Sequence, residues 1–144
     1  GSRIMMAIAK GIDLCVTVTQ LNAIVVARSA FNSSMNYESV MIFGKARVLK
    51  EDEKDVALER ITTKLVPGLW EYGRGLTKKE SAATMIVELG LEKISAKARS
   101  GDPSDDEEDL DLPLWAGIIP LTTVQGSAIT AKNAAGIAVP PHIK

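Results

Sequence analysis

Apolar positions along this chain recur with two different periods, and each change of period marks a boundary. In "SRIMMAIAKG", Ile4, Ala7 and Ile8 fall on one helical face, Lys10 suits a last turn, and Gly11 is placed to end the helix. Ser2 is its expected N-cap. The pattern then turns β-rich. "DLCVTVTQ" and "AIVVARSAF" read as two strands of one sheet, and "QLNA" between them predicts a hairpin with Asn22 in its turn. From Glu38, "ESVMIFGKARVL" is long for a strand, and Gly44 in its middle predicts a bend, a bulge or close approach of another backbone.

"EDEKDVALERITTKLVP" returns to helical spacing, with acids in the first turn, Ala57, Ile61 and Leu65 on one face, and Pro67 ending it. Thr77 and Glu80 have capping-box spacing, which predicts a second short helix. "TMIVELGL" and "KISAKARS" are further strand candidates, "GDPSDDEEDLDLP" is an acidic loop rich in turn formers, and "LWAGIIPLTTV" is the expected last strand. There is no internal repeat. Strands, then helix, then strands suit an antiparallel α+β barrel better than a βαβ sheet.

Composition narrows the picture. A chain of 144 residues fits one domain, expected to span residues 1–144. Only two Phe, two Tyr and two Trp are present, so the core must be aliphatic. A net charge of −1 sets up no field that would draw the chain to nucleic acid or to an anionic membrane. The single Cys15, inside "LCVTVT", reads as a small buried hydrophobe and cannot close an intrachain disulfide, which suits a reducing cytoplasm. No apolar run reaches the length of a membrane span and the start lacks a signal-peptide stretch, so a soluble cytoplasmic protein is expected.

Candidate chemistry is sparse. His142 is the only histidine and Cys15 the only thiol, so a zinc site of nitrogen and sulfur ligands is not expected. The run Asp105, Asp106, Glu107, Glu108, Asp109 lacks the glycine-punctuated alternation of a calcium loop and reads as solvated loop. No nucleophile stands in a recognisable triad motif, and "GKA" at 44–46 lacks a phosphate loop before it. Three features remain. Ser2 and Arg3 open a helix, where backbone N–H groups, a hydroxyl and a guanidinium could together hold a phosphate, or could simply cap it. Tyr37 and Ser39, at i and i+2, put two hydroxyl side chains on one face of a strand that leaves the polar run "NSSMNYES". Trp115, beside the small residues Ala116 and Gly117, reads as core or as a ligand wall.

Taken in order, "SRIM", "CVTVT", "ARSAFNSSMNYESVMIFGKARVL", "LVPGLW", "SAKARSG", "DDEEDL" and "WAGIIPL" resemble the flavin-nucleotide-binding branch of the pyridoxamine 5'-phosphate oxidase-like family, which includes the nitroimidazole-resistance proteins. The resemblance runs from Ser2 to about Pro141. It implies a mainly antiparallel α+β fold, the six-stranded FMN-binding split β-barrel with flanking helices, as a homodimer with FMN in a cleft at the interface. It implies phosphate contacts from Ser2 and Arg3, flavin contacts from Ser39 with Tyr37 beside it, and Trp115 bordering the flavin; the polar run would then be a wall of the flavin pocket. Where close relatives carry a His-rich "HHSMNYRS" stretch, this chain has Asn32, Ser33 and Glu38, and "WAGIIPLTTV" lacks the Arg and His pair that follows the Trp in the parent oxidases. That argues against true pyridoxamine phosphate oxidase activity. The resemblance also implies a helix and about three strands upstream of Ser2, so the expectation is that either an upstream part has been lost, or Gly1 and Ser2 are a cloning scar and the Ser2 hydroxyl is accidental.

The leading expectation is a cytoplasmic, homodimeric oxidoreductase that uses FMN on a small-molecule substrate. The flavin carries the electron chemistry, so no catalytic side chain is named. A non-catalytic flavin or haem storage module and a truncated member that binds no cofactor are the alternatives.

Overall fold

Seven residues suffice for the first element of the computed structural model, which describes residues 2–143. Gly1 and Lys144 lie outside the described residues. Helix α1, Arg3–Ala9, has Ser2 as N-cap and Lys10 as C-cap. Gly11 follows at φ +80°, the left-handed conformation that a helix end needs and that glycine adopts without a Cβ penalty. Ile8 is buried, as its place on the apolar face requires.

The expected hairpin at Asn22 does not form. Strand β1 runs unbroken over fourteen residues, Asp13–Val26, and pairs antiparallel with β2, Ser34–Lys45. Leu21 stands opposite Tyr37 and Ala23 opposite Asn36, so Asn22 is looped out as a one-residue bulge. A long partner strand offers hydrogen bonds to both halves of β1, and one extra residue is absorbed more cheaply than a reversal of the chain. β2 starts four residues before Glu38 and takes in most of the polar run. Past Ala46 the chain pairs again as β3, Arg47–Val48.

Helix α2, Glu51–Leu65, matches its sequence pattern in length, but Ile61 and Leu65 are exposed. Its inward stripe is Lys54, Leu58 and Thr62, turned about one position from the expected face, because the Lys54 stem packs inward with its ammonium bonded at the end. After it come α3, Leu69–Tyr72, which sequence pattern did not show, and α4, Lys78–Ala83. Thr77 caps α4 with the expected reciprocal box: the Glu80 N–H donates to Thr77 Oγ1 at 3.2 Å and the Thr77 N–H to Glu80 Oε2 at 2.9 Å. β4 is only Val87–Glu88, β5 is Ile94–Arg99, and β6 is Gly117–Pro120.

All strand pairs are antiparallel: a four-stranded sheet ordered β5-β2-β1-β6 and a two-stranded ribbon of β3 and β4. The fold is thus mixed α+β with mainly antiparallel sheet, as expected. The chain divides into two compact units. The first holds α1, Ala46–Glu88 and the tail from Gln125; the second holds Asp13–Lys45 and Leu89–Val124, which carry the four-stranded sheet.

Register assigns the faces of that sheet, since residues directly opposite share a face. Leu14, Val16, Val18, Val40, Ile42, Ile94 and Ala96 line one; Thr17, Thr19, Tyr37, Ser39, Lys97 and Arg99 line the other. Ala23 and Val25 are buried where β6 joins, whereas Val16, Val18 and Ile94 are exposed. Cys15 is exposed too, against expectation, because it lies at the Asp13 end of β1 on the hydroxyl-bearing face and not in the core.

Candidate functional site

Ser2 and Arg3, the phosphate contacts that the resemblance implies, stand at the N-cap and first position of α1. Ser2 and Arg3 are exposed, and the Ser2 carbonyl accepts the first helical hydrogen bond from Met6 N at 3.1 Å. The Ser2 side chain makes no capping hydrogen bond, so Ser2 caps α1 through its backbone alone.

Beside it lies a cavity of about 380 Å³ lined by Ser2, Met5, Met6, Val48, Leu49, Glu51, Lys54, Ala82, Ala83, Thr84 and Met85. Lys54 is the one charged side chain turned inward on α2. Its ammonium donates to Glu51 Oε2 at 2.8 Å and to the Ser81 carbonyl at 3.1 Å, and its side chain is only 10% exposed. Glu51 also accepts from the Ser81 hydroxyl, and these two bonds, Lys54 first, hold its carboxylate below the ordinary range.

Within the second unit, Tyr37 and Ser39 share a face as predicted. The Ser39 hydroxyl bonds to Thr19 Oγ1 at 2.8 Å, and β5 sets Lys97 opposite Ser39 and Arg99 opposite Tyr37. A row of hydroxyls is therefore bordered by two cations. Trp115 is 65% exposed and precedes β6 instead of opening it, so its core reading is corrected. Its ring lies so close over Gly117 that a Cβ there would sit 2.9 Å from the indole. The backbone ahead of β6 thus leaves the ring at the surface.

The acidic run is not simply solvated. Asp105, with its side chain 3% exposed, accepts from the Arg28 backbone N–H at 2.6 Å and from Arg28 Nη1 at 2.8 Å. Asn32 Nδ2 donates to Asp106 at 3.2 Å, and Asn36 Nδ2 to the Gly101 carbonyl at 3.0 Å, while Arg99 donates to Asn36 Oδ1 at 2.7 Å. Much of the polar run after β1 is thus consumed inside the unit, clasping the loop after β5. Arg28 and Asp105, with Asp102, Leu110, Ala116 and Gly117, line a second cavity of about 580 Å³, and the Arg28 Nε within the fold has no partner.

The structure pairs Ser2 with Arg3 in one unit, and Tyr37 with Ser39 in the other, where Trp115 also lies. Sequence reasoning missed Lys54, Arg28 and the two cations of β5. The spacing of Lys97 and Arg99 at i and i+2 in "ISAKAR" was a readable signal for one face of a strand. Lys54 gave none, being one cation among helix-start acids. Among the described residues no three His, Cys, Asp or Glu side chains come together as a metal site would need.

A family model described as pyridoxamine 5'-phosphate oxidase matches residues 1–98. A solved structure titled as the FAD and heme binding protein of Mycobacterium smegmatis superposes with a TM-score of 0.93 at 40% identity, covering 99% of this chain and 71% of that one. The flavocytochrome Anf3 of Azotobacter vinelandii superposes with a TM-score of 0.88 at 37% identity, over 99% of this chain and 67% of its own. Among curated proteins there is no match.

Proposed function

The chain belongs to the pyridoxamine 5'-phosphate oxidase-like family of flavin-binding proteins, and from that premise we propose that it binds the FMN unit, free or as the proximal half of FAD, and serves as an oxidoreductase for a small-molecule substrate. The observation that carries this reading is the match, over 99% of the chain at 40% identity, to a protein titled as binding FAD and heme.

The residues fit the role assigned to them. Ser2 would offer an exposed hydroxyl that does not cap α1, and Arg3 an exposed guanidinium, to the dianionic phosphate beside the N–H groups of the first turn. Tyr37 and Ser39 supply hydroxyls to the ring system or the ribityl chain, Lys97 and Arg99 add positive charge along the same face, and Trp115 gives a flat apolar cover. When bound, the flavin supplies hydride or electron transfer; the protein binds, orients and sets polarity. The homodimer with the flavin at its interface belongs to the same proposal. It is supported by the unpaired outer edge of β1 from Asp13 to Leu21, among the described residues, and by the exposed apolar face of that sheet.

Haem alone is the weaker reading. His142 is the only imidazole in the chain, and its ring packs against Tyr72, centroids 5.0 Å apart, and over Gly68, with Nε2 buried.

The test is reconstitution of the purified chain with flavin. Micromolar binding is expected, with bleaching by a nicotinamide or dithionite donor. Arg3→Ala is expected to weaken binding by about tenfold or more, through the lost charge-assisted contact. A chain that takes up no flavin, as isolated or on reconstitution, would overturn the reading.

A further inference from the structure

Lys54 occupies a place that helix stability does not explain. A cation in the first turn of a helix opposes the backbone dipole, and burial adds a desolvation cost. As the fourth residue of α2, with its side chain only 10% exposed, Lys54 carries both disadvantages. Its ammonium donates to Glu51 and to the Ser81 carbonyl, which leaves one of its three N–H donors unspent at the wall of the 380 Å³ cavity. Glu51 lines the same cavity, and its carboxylate oxygens keep lone pairs beyond those given to Lys54 and Ser81.

Charge decides what these two groups can receive together. They stand 2.8 Å apart and cancel, and among the described lining residues only they are charged. A further anion would be repelled by Glu51 and a further cation by Lys54, so the complement is a neutral group with an acceptor and a donor side by side. A carboxamide has that form. Its carbonyl oxygen accepts from the Lys54 ammonium while its NH2 donates to the Glu51 carboxylate, two charge-assisted bonds from one planar unit. The rest of the lining selects the body that bears the amide. Met5, Met6 and Met85 bring three adaptable thioethers, which make favourable contacts with aromatic rings, and Val48 and Leu49 add an aliphatic wall. At about 380 Å³ the space lies within the roughly 300–1,000 Å³ of small-molecule sites.

We infer that this cavity binds a planar aromatic carboxamide, the chemistry of the nicotinamide ring, with Lys54 and Glu51 reading the amide and the methionines covering the ring. Free nicotinamide and the head group of a nicotinamide dinucleotide share that chemistry. The inference stands apart from the flavin reading, in which Lys54 and Glu51 take no part.

Calorimetric titration of the purified chain with nicotinamide and with nicotinate, its carboxylate counterpart, tests it. Nicotinamide is expected to bind in the millimolar range or tighter, and at least about tenfold more tightly than nicotinate, a difference of ~1.4 kcal/mol. Lys54→Met, which removes the donor but keeps the stem, is expected to abolish that preference without lowering the melting temperature. Ala83→Trp, at an exposed position on the cavity lining, is expected to weaken nicotinamide by a similar factor. Displacement of nicotinamide by the oxidised dinucleotide would assign the site to the dinucleotide head group, and nicotinamide binding that the dinucleotide leaves unchanged would assign it to the free amide. Absence of nicotinamide binding, equal affinity for nicotinate, an Ala83→Trp variant of unaltered affinity, or a Lys54→Met variant that melts earlier with its preference intact would overturn the inference. Flavin uptake is read in a separate titration, so either proposal can fail while the other holds.

Discussion

Asn36 illustrates how single residues hold the second unit together. It is 6% exposed, and its amide bonds both the Gly101 carbonyl and the Arg99 guanidinium. Asn36→Leu leaves these two partners without it, a cost of roughly 1–3 kcal/mol, read as a lower urea midpoint with unchanged m-value. Asp105 joins the same clasp through Arg28. Asp105→Ala strands a guanidinium whose Nε already lacks a partner, and a loss of similar size is expected, together with faster proteolysis of the loop after β5. The polar cluster at 29–39 looked from sequence like ligand chemistry because residue types suited to flavin contacts are also those that satisfy a loop. Ser39 and Tyr37 keep the first role open; Asn32 and Asn36 are spent on the second.

Among the elements, α2 and α4 depend on their first turns. Glu80 is held at a pKa of about 2 by the Arg74 guanidinium and then by Thr77, and Glu53 at about 2 by Arg47 and then by the Lys50 N–H. Only that half of a capping box exists at Lys50, because an ammonium cannot accept a hydrogen bond. Both folded values lie below the ordinary carboxylate value of 4.5, so the stabilisation is present above pH 4.5 and is lost as the pH falls toward 2. Helical circular dichroism is expected to fall across that window, and Glu53→Gln with Glu80→Gln should flatten the change. Gly68 controls another junction. It holds φ +81° ahead of α3, and a Cβ would come within 3.2 Å of the His142 ring. Gly68→Ala therefore combines backbone strain with a clash, and earlier trypsin cleavage of the tail at Lys132 is the expected sign. The Thr77 cap, the stop at Pro67 and the left-handed Gly11 were legible because their chemistry is local. The bulge at Asn22, the rotation of α2 and α3 were not, because each is decided by a partner distant in sequence: β2, α4, and the tail that packs on Gly68 and Tyr72.

For the molecule as a whole, the buried apolar set among the described residues is small: Ile8, Ala23, Val25 and Ala27. Val18, 63% exposed, belongs to an apolar sheet face beside an unpaired strand edge, a combination that favours pairing with a further chain. Val18→Lys is expected to move the purified chain toward the monomer in size-exclusion chromatography, whereas Thr17→Lys, on the opposite face, should leave elution unchanged. The looped-out Asn22 bears on how such a chain can change length in evolution. Removing that one residue lets the ladder close with Ala23 still facing Asn36, so inside and outside are conserved on both sides of the join. A deletion at Val18 would instead turn Thr19 and Leu21 over to the apolar side. Natural variants that shorten this strand by one residue should accordingly do so at position 22.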